Sequence, residues 1–421
     1  MVRENPEAVR QGIRDKHMEE LLPLLDELLE QDRKERELRR QVEEKQARRN
    51  AVSREIGQLK RDGADASGPL EEMGLLAAEL RTLEEEARSL AGRVQDLLLE
   101  LPNLLHESVP AGRTEDDNVV AGEHGEPREF GFTPKAHWEL PAFADWIDLE
   151  AGVRLAGAGF PVFRGQGARL VGALERWLLE RLREHGFTEL RPPLLASPAA
   201  ALGAGMLPDK EGQMYEVKDG FFLIPTSEVA LVNVHREQIL DSGELPYRYS
   251  AFTPCFRREA GSHGRDVRGL NRLHQFDKIE MVILCRPEDS WELHEWMTEV
   301  AEGLLTELGL RFRRLFMCGG DTGFTQAKKY DLEAWSPGQE RWLEVSSISN
   351  ITDFQARRLQ TRARPGGRQG KGRPEPVHML NGSAFGFPRV LAALLETHQQ
   401  EDGSVLLPEV LRPYFGADRL D

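Results

Sequence analysis

The sequence predicts an α+β protein in which an N-terminal antiparallel α-helical coiled-coil hairpin precedes an antiparallel β-sheet flanked by helices. The first hundred residues carry two long apolar seams at helical 3/4 spacing, separated by one breaker. The later strand-like runs are rarely separated by a helix long enough for a parallel crossover. Because 421 residues exceed the usual size of a single core, we expect an arm at 1–105 and a second domain at 106–421.

The two predicted arms each present one apolar seam. The first seam has polar interruptions and comprises Leu24, Leu28, Leu38, Val42, Val52, Ile56 and Leu59. After a breaker at 61–69, the second comprises Met73, Leu76, Leu80, Leu83, Ala87, Leu90, Val94, Leu97 and Leu101. At 1.5 Å per residue each arm would extend roughly 40–55 Å. Arms so thin have no core beyond their seam, so we expect the hairpin to protrude.

Charge differs between the arms. Basic residues flank the first seam from Arg33 to Arg61, whereas the second arm is acidic around Glu84, Glu85 and Glu86. One interpretation is a solvated coiled coil whose arms attract each other. The other is a lever that grips the phosphates of a structured RNA by shape rather than by base sequence. Periodicity alone does not choose between them.

Beyond the arm, the elements are shorter. Residues 102–135 are rich in Pro, Gly and Glu, and we interpret them as a linker. A long amphipathic helix is predicted over 167–187, ending at Gly186. Short strands are predicted at 188–195, 221–226, 247–252, 274–284 and 341–347. The glycines of 363–376 do not have the spacing of a phosphate-binding loop, so a basic hairpin turn is predicted there.

Composition excludes several classes of protein. A net charge of -16 argues against non-specific coating of nucleic acid, although a local basic site remains compatible with it. Three scattered cysteines, Cys255, Cys285 and Cys318, are too few for a disulfide framework and fit a reducing compartment. The sequence has no apolar run of the roughly 18 residues that a membrane span needs, and no secretion signal. We therefore expect a cytoplasmic protein with no membrane partner.

One basic stretch stands out, FRREAGSHGRDVRGLNRLHQFDKIE at 256–280. It is predicted to form a β-hairpin. Because side chains alternate with period two, Arg257 and Glu259 would share one face of the first strand. Phe276, Lys278 and Glu280 would likewise share one face of the second strand.

The loop of this hairpin adds Arg265 and Arg268. One sheet face could therefore offer an aromatic ring, guanidinium groups and carboxylates together. This combination suits a nucleoside triphosphate, which needs a stacking surface, phosphate ligands and oxygen ligands for a metal. The alternative is an exposed hairpin held by ion pairs such as Arg257 with Glu280.

Further motifs occur in a fixed order along the chain. GFTELRPPLL (186–195), FRREAG (256–261) followed by Arg272, Phe276 and Glu280, and NGSAFGFPRVLAALLE (381–396) resemble motifs 1, 2 and 3 of the class II aminoacyl-tRNA synthetases. IPTSEVALVNVHR (224–236) and the N-terminal hairpin are similar to the serine pocket and the tRNA-binding arm of the seryl-tRNA synthetase family. The similarity spans nearly the whole chain.

This resemblance implies two neighbouring binding sites. The serine site would comprise Thr226, Ser227, Glu228, Arg257, Glu280 and Ser383. The ATP site would comprise Arg257, Arg258, Glu259, Phe276, Glu344, Val345, Ser346, Ser347 and Arg389. Arg257, Glu280 and Arg389 would be catalytic.

Glu344 and Ser347 would coordinate Mg²⁺ under the same resemblance. Strict strand alternation puts these two side chains on opposite faces, so a bulge or a strand end is required between them. Arg389 would open a helix, where the helix dipole disfavours a cation by up to about 1 kcal/mol. We therefore expect Arg389 to face an anion.

The implied activity is conversion of L-serine and ATP to seryl-adenylate, followed by transfer of serine to the 3′ end of tRNA(Ser), and of tRNA(Sec) where present. The carboxylate of serine is already ionised at neutral pH, so its attack on the α-phosphorus needs positioning and charge neutralisation rather than a general base. Glu280 and Ser383 would read the serine hydroxyl, which disfavours alanine by roughly four to five decades. A homodimer built on motif 1 is also implied.

Two other functions compete with this one. A paralogue that loads a small amino acid onto a carrier protein usually lacks the arm, and this chain keeps it. A non-catalytic RNA-binding scaffold built on a decayed synthetase fold would have lost charged ligands. Here all the charged ligands are in place, namely Arg257, Glu259, Glu280, Glu344 and Arg389. Departures from the family pattern, in AFGFPR (384–389) and VRLAGAGFPVF (153–163), put local geometry in doubt rather than activity.

Overall fold

A computed structural model describes residues 2–209, 212–259, 268–367 and 370–421. The chain divides into two compact units, Met1–Leu104 and Leu105–Asp421. Within the described residues, no helix is long and apolar enough to cross a bilayer. Arg265 of the predicted loop lies outside them.

The first unit consists of α1 (Pro6–Asp15), α2 (Leu22–Arg61) and α3 (Ser67–Leu99). A small core at one end joins all three helices and contains Val9, Ile13, Leu25, Leu28, Leu97 and Leu101. Farther along the hairpin, Val52, Ile56 and Leu76 form a second cluster. Every residue of the two predicted seams is buried or half-buried, so both seams are confirmed.

Ion pairs join the two long helices. Lys45 Nζ lies 2.5 Å from Glu79 Oε2, and Arg48 Nε lies 2.6 Å from Glu72 Oε1. Toward the other end, Arg93 pairs with Glu27 at 2.6 Å. Partners in α3 come earlier in the sequence as positions in α2 come later, which is the antiparallel pairing that was predicted. Exposed pairs of this kind each contribute at most about 1 kcal/mol, so the apolar seam provides most of the stability.

The second unit mixes helices and strands. Its helices are α4 (Phe143–Trp146), α5 (Leu149–Ala156), α6 (Gly165–Glu184), α7 (Pro198–Gly203), α8 (Glu228–Val232), α9 (Ser290–Glu307), α10 (Phe354–Leu359), α11 (Phe387–His398) and α12 (Arg412–Phe415). Its strands are β1 (Val119–His124), β2 (Ile147–Asp148), β3 (Val162–Phe163), β4 (Thr188–Glu189), β5 (Leu195–Ala196), β6 (Tyr215–Glu216), β7 (Phe222–Leu223), β8 (Ile239–Asp241), β9 (Tyr247–Phe256), β10 (Gln275–Cys285), β11 (Phe312–Phe316), β12 (Lys328–Ser336), β13 (Arg341–Thr352), β14 (Arg362–Arg364), β15 (Glu375–Pro376), β16 (His378–Gly386), β17 (Val405–Leu406) and β18 (Arg419–Leu420).

Eight strands form the main sheet in the order β1-β11-β12-β13-β16-β10-β9-β4. Neighbours pair antiparallel except β4 and β9, which pair parallel. The prediction of a linker over 102–135 is wrong in part, because Val119–His124 is an edge strand of this sheet. Its sequence, VVAGEH, does not alternate apolar and polar residues, and as an edge strand it buries few of its side chains.

Helices cover both faces of the sheet. Along β10, Ile279, Met281 and Ile283 face a large core that includes residues of α6, α9 and α11. Val282 and Leu284 face a second core with residues of α8 and α10. Because strand side chains alternate, Lys278 and Glu280 lie on the same face as Val282 and Leu284. The polar groups of the candidate site are therefore on the face of the smaller core.

The predicted basic hairpin is confirmed in its second strand and corrected in its first. β9 and β10 pair antiparallel, but β9 ends at Phe256, before Arg257 and Glu259. Glu259 has a φ of 49°, in the left-handed region, so these two side chains do not share a strand face as predicted. The ion pair of Arg257 with Glu280 is also wrong, because Glu280 pairs with Lys278 instead.

Candidate active site

The centre of the site is a buried ion pair on β10. Lys278 Nζ lies 2.5 Å from Glu280 Oε2, and both side chains are less than a tenth exposed. Thr226, just before α8, donates its hydroxyl proton to Glu280 at 3.3 Å. A buried charge pair is costly unless further hydrogen bonds satisfy it, so such a pair is weak evidence for stability. Its position in a cluster of polar side chains indicates a binding pocket for a small polar molecule.

A second acid, Glu228, lies beside this pair at the first position of α8. It accepts a hydrogen bond from Gln355 Nε2 at 2.7 Å and another from the amide of Asn381. Burial and the negative charge of Glu280 raise the pKa of Glu228 to about 7. The pocket thus contains two buried carboxylates and one ammonium group. When Glu228 is ionised, as it is above about pH 7, the pocket carries an excess of negative charge that a cationic group such as an amine would offset.

Two serines predicted for this pocket differ in their surroundings. Ser383 on β16 is the register partner of Glu280, which brings it to the pocket. The Ser227 side chain is fully buried and hydrogen-bonds Thr253 Oγ1 at 2.7 Å. The hydroxyl of Ser227 is therefore engaged within the protein and is not presented to a ligand.

Next to the pocket, the end of β9 brings an arginine against an aromatic ring. The Arg257 guanidinium lies 5.3 Å from the centre of the Phe276 ring. Arg257 also donates through Nε to the carbonyl of Pro225 at 3.3 Å. The backbone N–H of Arg258 bonds the Gln213 carbonyl, and its guanidinium lies 5.9 Å from the Tyr215 ring.

Glu259 pairs with Arg272 across the hairpin, with Oε2 lying 2.5 Å from Nε. Both residues belong to the segment predicted to bind a nucleotide. The contact ties the segment after β9 to the segment before β10. A charge-assisted bond of this kind restricts where Arg258, next to Glu259, can reach.

A bulge in β13 shapes the far side of the site. Leu332 pairs with Ser346 and Glu333 with Glu344, so Val345 is the extra residue. Leu343, Val345 and Ile348 all pack in the large core. The bulge that the resemblance required between Glu344 and Ser347 is therefore confirmed.

The bulge leaves Glu344 and Ser347 on the face away from the large core. Val345 is buried, so only its backbone is accessible to a ligand. Ser346 is also buried and donates its hydroxyl proton to the carbonyl of Ser383. This bond links β13 to the strand that carries the serine-pocket residue Ser383.

Arg389, the third residue of α11, closes the site. Its Nε donates to the carbonyl of Asn271 at 3.0 Å, and Nη1 donates to the carbonyl of Glu344 at 3.1 Å. Its Nη1 also lies 3.5 Å from Glu344 Oε2, so the expected anionic neighbour is present. Desolvation alone would raise the pKa of Glu344, but the charges of Arg389, Lys329, Arg257 and Lys278 outweigh it and lower the pKa. Cations of the pocket on β10 and cations near β13 and α11 thus act on the same carboxylate.

Glu344 and Ser347 are the residues predicted to coordinate Mg²⁺. Among residues 2–209, 212–259, 268–367 and 370–421, no group of three or more His, Cys, Asp or Glu side chains is placed to hold a metal ion. Mg²⁺ is commonly bound through one or two protein carboxylates together with substrate phosphates, so it needs no such cage. The Glu344 carboxylate and the Ser347 hydroxyl are oxygen ligands of that type.

Sequence reasoning missed three residues of the pocket. Lys278 was expected on the right face but not as a site residue, and Gln355 and Asn381 were not identified. The available signal was the spacing of a lysine two residues before a glutamate on one predicted strand. Two such side chains share a face, and opposite charges of this kind can be buried only as a pair. Gln355 and Asn381 lie more than a hundred residues away from Glu228. Asn381 could have been found, because it lies two residues before Ser383 on one strand and so shares its face, whereas nothing local in the sequence marks Gln355.

Comparisons with known proteins find relatives along nearly the whole chain. Residues 213–398 match the family described as tRNA synthetase class II core domain (G, H, P, S and T), and residues 1–105 match the seryl-tRNA synthetase N-terminal domain. The serine–tRNA ligase of Salinibacter ruber is 49% identical over 422 residues, covering 100% of this chain and 98% of that protein.

Solved structures extend the likeness to the fold. The crystal structure of seryl-tRNA synthetase from Pyrococcus horikoshii complexed with ATP has a TM-score of 0.93 and 36% identity, covering 99% of this chain and 98% of that one. Cytoplasmic serine–tRNA ligase from Naegleria fowleri in complex with AMP has a TM-score of 0.87 and 27% identity, covering 99% and 96%. The predicted α+β fold with its antiparallel sheet is confirmed.

Proposed function

The chain belongs to the seryl-tRNA synthetase family of class II aminoacyl-tRNA synthetases, and from this premise we propose which of its residues bind serine, ATP and tRNA. The protein is a serine–tRNA ligase that activates L-serine with ATP and transfers it to tRNA. The observation that carries the assignment of residues is the buried Lys278–Glu280 pair, which adjoins a row of arginines suited to a triphosphate.

Serine binds in the pocket around this pair. Thr226, Glu228, Glu280 and Ser383 surround it, with the backbone of Ser227, and Arg257 holds its carboxylate. The negative excess in the pocket favours the ammonium group of the amino acid. Glu280 and Ser383 read the hydroxyl group, so alanine leaves buried partners unpaired and binds poorly.

ATP binds on the neighbouring surface. Its base stacks on Phe276, while Arg258, Glu259 and the strand segment 344–347 contact the nucleotide. Arg257 and Arg389 face the phosphates. A planar guanidinium matches a phosphate with two parallel hydrogen bonds, so arginine suits both positions.

Glu344 and Ser347 would hold Mg²⁺ through their side-chain oxygens. When bound, it offsets negative charge on the triphosphate. The pKa of Glu344 lies below its ordinary value because of the surrounding cations, so its carboxylate is ionised and available as a ligand at neutral pH.

The chemistry needs positioning more than proton transfer. Arg257 orients the serine carboxylate toward the α-phosphate, and its charge offsets the charge that develops there. Arg389 stabilises the departing pyrophosphate. The cysteines take no part, because the three cysteines at 255, 285 and 318 are free and buried.

The domain at 1–105 is the tRNA-binding arm, and the domain at 106–421 is catalytic. The basic flank of α2 supports phosphate contacts with tRNA(Ser), and with tRNA(Sec) where present, through shape rather than base sequence. Of the two interpretations of the hairpin, we therefore favour the one in which it grips the phosphates of an RNA over the one in which its arms only attract each other. The match of residues 1–105 to the family's N-terminal domain supports it.

We also propose a cytoplasmic homodimer. An apolar groove of about 700 Å³ runs along the segment that resembles motif 1, and its lining includes Leu190, Leu195, Phe221 and Val234. The last three of these are at least two-fifths exposed. A second copy of the chain would bury this surface, which is continuous with the edge strand β4.

Calorimetric titration with a non-hydrolysable seryl-adenylate analogue tests the pocket. Thr226→Val removes the hydroxyl that bonds Glu280 without changing its shape, and we expect roughly tenfold weaker binding, about 1.4 kcal/mol. Thr298→Val is the matched control, since the buried Thr298 hydroxyl bonds only the carbonyl of His294 in its own helix. Equal affinity in all three proteins would contradict the proposed serine site.

A further inference from the structure

A network of buried polar groups lies behind Arg389, on α11 and the segments packed against it. At its centre is Glu396, which is fully buried. The Oε1 atom of Glu396 accepts from His137 Nδ1 at 2.7 Å, from the His137 backbone N–H at 3.0 Å and from Gln339 Nε2 at 2.9 Å. Its Oε2 accepts from the Ser336 hydroxyl and from the Gly338 N–H at 3.1 Å. Five donors satisfy one carboxylate that touches no proposed ligand residue.

One route leads from this carboxylate to the ATP site. Gln339, held by Glu396, accepts a hydrogen bond from Asn271 Nδ2 at 2.8 Å. The Asn271 backbone carbonyl in turn accepts from Arg389 Nε at 3.0 Å. The route therefore fixes one of the acceptors that aim the Arg389 guanidinium.

A second route reaches the neighbouring residue. The Leu270 backbone N–H donates to His137 Nε2 at 2.9 Å, which requires His137 to be neutral with its proton on Nδ1. That proton is the one donated to Glu396. At Gly269, with a φ of 59°, an added Cβ would lie 2.2 Å from His137 Nε2, so the contact excludes any larger residue. Two independent routes from Glu396 thus converge on Leu270 and Asn271.

We propose that Glu396 and His137 are positioning residues for adenylate formation, which hold Arg389 in its ATP-binding orientation. Glu396 acts through Gln339 and Asn271, and His137 acts through Leu270, the residue before Asn271. Burial would raise the pKa of Glu396, but the hydrogen bonds from His137 and Ser336 outweigh it and lower the pKa, so the hub is charged. A charged hub holds its donors more tightly than a neutral one. Small displacements of a phosphate-binding group cost large factors in rate, so the network controls activity without touching ATP.

This inference rests on the proposed function, because it requires that Arg389 contacts ATP. Serine-dependent exchange of pyrophosphate into ATP is measured for wild type, Asn271→Ala, Glu396→Gln and the double variant. We expect each single change to raise the KM for ATP about tenfold and leave the KM for serine within about twofold. The KM for ATP of the double variant should not exceed that of the more impaired single variant, since both changes interrupt the same route from Glu396 to Arg389.

Glu302→Gln is the matched control, because its carboxylate accepts two hydrogen bonds from Arg314 and has no link to Arg389. It should lower the melting temperature without changing the KM for ATP. If Glu396→Gln fails to fold, Gln339→Ala replaces it in the cycle, since it cuts the route and leaves the other four bonds to Glu396.

The outcomes are distinct. If Arg389→Ala loses exchange while folded Asn271→Ala and Gln339→Ala keep the wild-type KM for ATP, the inference is overturned and the proposed function stands. Additive losses in the double variant also overturn it, since they indicate independent effects on stability. An unchanged KM for ATP in Arg389→Ala removes Arg389 from the proposed ATP site and overturns the inference with it, whereas loss of exchange with every amino acid in the folded wild type would overturn the proposed function.

Discussion

Glu228 illustrates the conflict between stability and function at a single residue. Burial and the charge of Glu280 raise its pKa from 4.5 to about 7. Between these two pH values the folded protein retains a proton that the unfolded chain releases. The stability contributed by this group is therefore fully present below about pH 4.5 and is lost as the pH rises through about 7.

Glu228→Gln should remove the loss of stability that ionisation of Glu228 causes as the pH rises. At pH 8 we expect the free energy of unfolding to exceed that of wild type by about 3 kcal/mol, from about 1.4 kcal/mol per pKa unit. The new amide can also donate to Gln355 Oε1, a buried acceptor that has no partner among the described residues. Urea denaturation at pH 8 and pH 4.5 tests this. The gain should nearly vanish at the lower pH, and an equal gain at both would contradict the linkage.

Phe276 provides a second test at the residue scale. Stacking of a base on an aromatic ring is worth about 1–3 kcal/mol, so Phe276→Ala should raise the KM for ATP by roughly 5- to 150-fold. Phe276→Tyr keeps the ring and should stay within about threefold of wild type. The measurement is pyrophosphate exchange at saturating serine. A similar KM for ATP in the alanine variant would remove Phe276 from the ATP site.

At the scale of elements, the helical hairpin has a base and a tip with different roles. The base contains the small core with Leu25, Leu28 and Leu97, whereas the hairpin beyond it is held by its seam and by exposed ion pairs. At 1.5 Å per residue, the 40 residues of α2 extend about 60 Å. The tip can therefore be shortened without removing the core at the base.

Replacing the segment between Arg39 and Leu90 with a short turn should abolish charging of tRNA(Ser) and leave pyrophosphate exchange within about twofold of wild type. The physical reason is that phosphate contacts lie on the arm, whereas adenylate formation requires only the second unit. In the intact protein, the KM for tRNA should rise steeply with salt, because phosphate contacts release counterions. Equal loss of both activities would contradict this division of roles.

The sequence predicts the elements well where one pattern repeats. The two arm seams and the strands at 247–252, 274–284 and 341–347 are found, although the first and third strands are longer than predicted and the second is shifted by one residue. The edge strand at 119–124 was missed, because its sequence VVAGEH lacks the period-two alternation that marks a half-buried strand. Arg257 and Glu259 were wrongly assigned to a strand, since alternation does not reveal where β9 ends.

The candidate site was less predictable for a different reason. Its ligands come from β10, β13, β16, α8 and α11, which are brought together only by the order of strands in the sheet. Spacing within one element located Lys278 beside Glu280, but it could not identify Gln355. The resemblance supplied residue roles, and two geometric expectations that followed from it are met by the fold: the bulge at Val345 and the anionic neighbour of Arg389.

At the scale of the whole molecule, the proposed dimer has a direct test. The wild-type protein should scatter light at twice the chain mass of 47.6 kDa. Val234→Asp places a charge in the apolar groove along motif 1 and should give a monomer, because an unpaired buried charge costs several kcal/mol. Leu155→Asp is the control, since Leu155 is 78% exposed and lies outside the groove. A wild-type monomer, or a dimeric Val234→Asp protein, would contradict this interface.

The central claim is that the charged groups around Lys278 and Glu280 form a serine-adenylating site with Arg257. Exchange of pyrophosphate into ATP tests it most directly, with serine, alanine or threonine added to wild type, Arg257→Ala and Arg286→Ala. Arg286 pairs with Asp289 at the far end of β10 and serves as the control. The account predicts exchange with serine alone, lost in Arg257→Ala and kept in Arg286→Ala. Exchange that persists in folded Arg257→Ala, or that no amino acid supports in wild type, would contradict it.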